Sequence, residues 1–95
     1  MTKADSARLA AISDMSCIVC RQEGYDTPAE PHHLVQAGRR LGHQYTVPLC
    51  FNHHRSGLRT AEVVSRHPHK AEFERRYGTE LTLLDITNQE LRYGQ

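Results

Sequence analysis

The stretch Val47-Pro48-Leu49-Cys50-Phe51-Asn52-His53-His54-Arg55-Ser56-Gly57 decides the fold. A short β-rich run ends in a cysteine, and two adjacent histidines follow at positions 53 and 54. Cys50-x-x-His53 has the spacing at which one turn offers two side chains to a single ion. Cys17-x-x-Cys20 repeats that spacing upstream. The two pairs lie about thirty residues apart, so an ion held by all four closes the intervening loop. Such binding contributes folding free energy directly. Two other readings exist for the cysteines: small buried apolar residues, or a redox dithiol. A third cysteine and a histidine at matching spacing favour a structural zinc site of Cys17, Cys20, Cys50 and His53.

That set leaves His54 free. Neighbouring helical residues point about 100° apart, so His53 and His54 cannot readily serve one ion. The pair therefore predicts two sites, back to back. A second pair, His32-His33, stands in the strand-like run "HHLVQ". Alternation along a strand sends those two rings to opposite sides. One can ligate a metal while the other faces a substrate. His54 and the more distant His67 complete the group. A hydrolytic metal site needs a few protein ligands with open positions, and a general base near its own pKa.

The rest of the chain sets the frame. Only 38% of its 95 residues are apolar, aromatics make up 6%, and there is no Trp. A domain this small with so thin a core needs a staple. One domain over residues 1–95 is expected, with its core at about 16–84. Three cysteines cannot form a full disulfide set, no secretory leader opens the chain, and no run is long enough to span a membrane. A reducing cytoplasm is the expected compartment. The net charge of +1 excludes little. Arg39, Arg40, Arg55, Arg59, Arg66, Lys70, Arg75 and Arg76 nevertheless crowd the middle, which predicts a local basic face.

Residues 3–14 read as an amphipathic helix burying Leu9, Ala10 and Ile12. A metal-binding knuckle follows, then a loop through Pro28 and Pro31, the strand "HHLVQ", a loop "AGRRLGHQ" and the strand "YTVPLC", with Pro48 ending it or marking an edge. From Phe51 the pattern turns helical through His67, with Asn52 as N-cap and Gly57 as an interruption. A second helix has Pro68 in its first turn and Gly78 at its end. A third runs from Thr79 to Tyr93, with Thr79, Leu83, Leu84 and Ile86 on its apolar face. The fold class is α+β, built around a metal.

"CIVC", "HH" and "PLCFNHH", in that order, resemble the HNH or ββα-metal endonucleases. More narrowly, "CIVCRQEGYDTPAEPHHLVQAGRRLGHQYTVPLCFNHHRSG" followed by "FERRYGTELTLL" is similar to the phage recombination-enhancement nucleases, which depend on RecA. The resemblance covers roughly Ser16 to Leu84. It implies a small ββα-metal fold with a zinc knuckle pair and flanking helices. It implies His33 as the general base, and His32, His54 and His67 as ligands of a catalytic divalent cation, Mg²⁺ first, with Zn²⁺ or Mn²⁺ as substitutes. His69 is a rival to His67. The family's middle asparagine has no counterpart before Cys50, and His43 or Gln44 stands in its place to orient the base. Arg39, Arg40 and Arg55 would hold DNA phosphates. The implied activity is hydrolysis of DNA phosphodiester bonds with little sequence preference, directed by a RecA filament in a bacterial or phage-infected cell. A reading from another class is a zinc-stapled module that binds nucleic acid or a recombination protein without catalysis. A thiol redox protein is a third.

Overall fold

Pro31 and Pro48 lie opposite each other across an antiparallel pair of strands. Neither has an N–H to exchange, so they fit only at a non-hydrogen-bonded position of the ladder. That places Glu30, His32 and Leu34 at the bonded positions, in agreement with the Leu34 N–H donating to the Tyr45 carbonyl at 2.9 Å. The two strands are β1 (Glu30–His33) and β4 (Thr46–Leu49). β1 begins two residues earlier than "HHLVQ" predicts, because a two-stranded sheet tolerates Pro31.

The computed structural model describes residues 1–93. Along them run α1 (Lys3–Asp14), α2 (Ile18–Gln22), β1, β2 (Val35–Gln36), β3 (Arg39–Arg40), β4, α3 (Phe51–His54), α4 (Lys70–Tyr77) and α5 (Glu80–Tyr93). The expected loop "AGRRLGHQ" contains β3, which pairs back on β2. Ala37 and Gly38 both take positive φ, 51° and 75°, as a tight two-residue hairpin turn of this type requires.

All four residues of β4 are buried, because α1, α2, α3 and α5 pack on it. The core gathers Ile18, Val19, Leu34, Val47, Leu49, Val64, Phe73, Leu83 and Leu84. Packing reaches past the expected limits of 16–84 at both ends: Ile12 and Thr87 are fully buried. In α1 only Ile12 is buried; Leu9 is half-buried and Ala10 exposed, contrary to the expected apolar face. Arg8 fastens that helix instead. Its guanidinium donates to the Thr46 carbonyl at 2.6 Å and to Asn88 Oδ1 at 2.6 Å, tying α1 to β4 and α5.

The long helix expected from Phe51 to His67 does not form. α3 stops at His54, Gly57 turns at φ 81°, and Arg59 bridges Val64. Cys50, not Asn52, is its N-cap. Helix-end carbonyls need partners. Those of His53 and His54 accept from the N–H groups of Arg66 and His67 at 2.8 and 2.9 Å. The returning segment is thus pinned beside α3. Pro68 precedes α4, whose N-cap is His69, rather than entering its first turn. Gly78 ends α4 at φ 103°, a conformation that costs glycine nothing. α5 runs where expected, but Thr79 is exposed and Thr87 is the buried hydroxyl. No helix among the described residues is long and apolar enough to cross a membrane.

Candidate functional site

Cys17 and Cys50 are the N-cap residues of α2 and α3, and Cys20 and His53 follow one turn inside each helix. Two short helix starts therefore face each other with two donors apiece. All four residues are buried, and their donor atoms lie within 4.8 Å of one another. Cys20 Sγ is 3.8 Å from Cys50 Sγ. His53 Nδ1 is 3.8, 3.6 and 3.2 Å from the sulfurs of Cys17, Cys20 and Cys50. Sulfurs bound tetrahedrally at about 2.3 Å stand roughly 3.8 Å apart, so the cluster fits a zinc ion. It does not fit disulfides, whose sulfurs are about 2.0 Å apart. The contact with Cys17 pulls the Cys50 thiol down to about 3; burial opposes this and His53 adds to it. A Cys₃His set that can hold a structural metal such as zinc is therefore built into the core.

The second cluster joins His32 from β1, His54 from α3 and His67 from the segment returning to α3. Their candidate donor atoms also lie within 4.8 Å of one another. The His32 ring meets the other two in T-shaped fashion, with centroids 4.9 Å apart for His32–His54 and 5.5 Å for His32–His67, and His54 and His67 are tilted at 5.4 Å. Burial lowers the pKa of His54, and Glu30 opposes that shift. Burial and Arg66 lower that of His67. Neutral imidazoles keep the lone pairs that a cation needs.

Two carboxylates stand behind these rings. Glu30 Oε1 is 2.7 Å from His54 Nδ1, and Glu80 Oε1 is 3.0 Å from His32 Nε2. His67 differs, having the Arg66 guanidinium 3.3 Å from its Nδ1. Burial works against ionisation of Glu80, but His32 and Arg66 override it and hold the carboxyl at about 2. Neither glutamate was among the expected site residues. Glu30 carried a signal, since it precedes His32 by two and so shares its strand face.

His33 faces the other way. Its Nε2 lies 2.9 Å from His43 Nδ1 and 3.1 Å from Arg40 Nη2. Burial, then Arg40 and His43, lower its pKa. Of the two candidates to orient it, His43 makes contact; Gln44 donates to the Ala4 carbonyl and Asp5 on α1. His69 is not in the histidine cluster: its Nε2 is 3.3 Å from the Gly57 carbonyl.

The expected basic face is smaller than the sequence count. Arg39 and Arg40 are exposed on β3. Arg55 is paired with Glu30 at 2.6 Å and lies over the Phe51 ring. Arg59 pairs with Glu72, and Arg66 is buried against Glu80.

An antiparallel strand pair, a following helix and a buried Cys/His cluster make this a small α+β domain compatible with the ββα-metal fold. The chain belongs to the family of recombination-enhancement, RecA-dependent nucleases, whose family model matches residues 1–92. A comparison with curated proteins gives no match.

Proposed function

We propose that this chain is a metal-dependent endonuclease that hydrolyses DNA phosphodiester bonds with little sequence preference, in recombination and under the direction of RecA. One observation carries the reading. Two consecutive residues of β1 face apart: His32 lies with His54 and His67 in one cluster of ring nitrogens, and half-buried His33 lies outside it against His43 and Arg40.

His32, His54 and His67 would hold a divalent cation. When bound, it supplies Lewis-acid stabilisation of the charge that develops on the phosphate and the leaving 3′-oxygen. Three imidazoles suit borderline cations such as Zn²⁺, Co²⁺ or Ni²⁺ better than Mg²⁺, which prefers oxygen ligands. Arg40 can only donate, so the His33 Nε2 facing it carries the lone pair. As Arg40 moves onto a phosphate oxygen and His43 Nδ1, 2.9 Å away, gives up the same nitrogen, that lone pair is released to take a proton from the attacking water. Until then His43 holds the ring in place. Arg39 and Arg40 give phosphate contacts that position DNA without reading its sequence. Arg55, already paired with Glu30, is a weaker phosphate contact and braces His54 through that carboxylate.

The test is nicking of supercoiled DNA by the zinc-loaded protein, with and without RecA, across Mg²⁺, Mn²⁺, Co²⁺, Ni²⁺ and Zn²⁺. Cation-dependent nicking that is raised by RecA is expected. DNA or RecA binding with no cleavage under any cation would replace this reading with a non-catalytic binding module.

A further inference from the structure

Glu80 opens α5, yet its carboxylate is spent inside the histidine cluster, 48 residues from the ring that it meets. It is 4% exposed, and its partner Arg66 is 6% exposed. Oε1 receives His32 Nε2 at 3.0 Å and Arg66 Nε, and Oε2 accepts the Val35 N–H at 3.2 Å. The Glu80 N–H in turn donates to Glu74 Oε2 at 3.1 Å. Three donors from three different segments therefore fix one carboxylate: strand β1, the start of the β2–β3 hairpin, and the segment that carries His67. A carboxylate so placed has no rotational freedom and no vacant role as a surface charge. Burying such a pair gives little net stability, so stability alone is a poor account of it.

We infer that Glu80 is a positioning residue for the cation site: it fixes the His32 ring with the proton on Nε2 and leaves Nδ1 as the donor. An ionised carboxylate only accepts, so the nitrogen facing it must carry hydrogen. A histidine ligand needs its second nitrogen occupied in this way to hold its ring orientation and raise its basicity. Arg66 Nε donates to the same Oε1 and aligns the carboxylate. The same guanidinium lies 3.3 Å from His67 Nδ1, so one ion pair borders two of the three rings. The inference rests on the reading of His32 as a ligand.

Titration of zinc-loaded protein with Co²⁺, followed by its visible absorption, measures the second ion. Wild type is expected to take up one Co²⁺, and His54→Ala to lose it. Glu80→Gln is expected to weaken Co²⁺ binding about 10- to 100-fold with the zinc content unchanged. Glu80→Gln combined with Arg66→Met removes both charges and serves if the single variant does not fold. Long-range ¹H–¹⁵N NMR of the cobalt-free protein reads the tautomer. His32 is expected to carry its proton on Nε2 in wild type and to become a mixture in the variant. A wild-type proton on Nδ1 overturns the inference without any variant. So does a folded variant with unchanged affinity, or one with weakened affinity and an unchanged tautomer. Absence of a second ion in wild type would instead bring down the ligand reading itself, and this inference with it.

Discussion

His32 and His33 are neighbours in β1, but His32 Nε2 meets Glu80 at 3.0 Å in the interior while His33 Nε2 meets His43 at 2.9 Å near the surface. The alternation of a strand does this without any special turn. A ligand and a base can therefore share one peptide bond and still face different neighbours. His33→Ala is expected to reduce nicking by 100-fold or more, on the order of what general-base removal costs, with both ions retained. His43→Ala should cost about tenfold through loss of ring orientation, and Gln44→Ala almost nothing. Single-turnover nicking rates check all three; equal losses for His43 and Gln44 would refute the assignment.

The pH dependence follows from the same ring. Burial, Arg40 and His43 hold His33 below its ordinary 6.5, so the neutral, proton-accepting form persists into mild acid. The rate is expected to be flat near neutrality and to fall only below pH 6.5. Removing the cation in Arg40→Gln lets the pKa rise, so the acid limb should move to higher pH. The rate profile from pH 5 to 8 tests this, and a limb that stays fixed rejects the contact.

Cys17→Ser takes one donor from the buried tetrahedral set. Zinc content should fall from one per chain, and the melting temperature should drop by about 10 °C or more. That shift corresponds to roughly 2 kcal/mol in a domain of this size. Metal analysis and calorimetry give the answer.

Among the three clustered histidines, His67 alone is backed by a cation rather than a carboxylate. His54→Ala is therefore expected to weaken second-site Co²⁺ binding more than His67→Ala does. His69→Ala, whose ring bonds the Gly57 carbonyl, should leave it unchanged. The three titrations are directly comparable.

Arg8 anchors α1 where apolar contact is sparse. Arg8→Ala is expected to cost about 1–3 kcal/mol, the usual scale for a charged hydrogen-bonding group. Hydrogen exchange should show α1 opening ahead of the rest.

Features set by neighbours in the chain were legible in the sequence. The two x-x spacings announced the cysteine cluster, the adjacent histidines announced that His53 and His54 join different clusters, and "ELTLLDITNQELRY" announced α5. Features set by distant partners were not. Arg66 looked like one more surface cation because nothing near it in sequence announces Glu80. The helical pattern after Phe51 overran because its period ignores that Gly57 adopts positive φ, and that the His53 and His54 carbonyls find partners in residues 66 and 67. Ala37 at φ 51° hid the β2–β3 turn, since the left-handed region usually calls for glycine or asparagine there.

The pinning of residues 66 and 67 to the end of α3 sets where this protein can change length. Between Cys50 and His54 a single inserted residue would rotate one histidine out of its cluster, so that count is fixed. From Leu58 to Glu62 the chain is exposed, before Val64 enters the core and the Arg66 and His67 N–H groups return to α3. Closing a longer loop costs little. Insertions, tags or sequence drift should thus be accommodated in that arc while both side-chain clusters keep their shape.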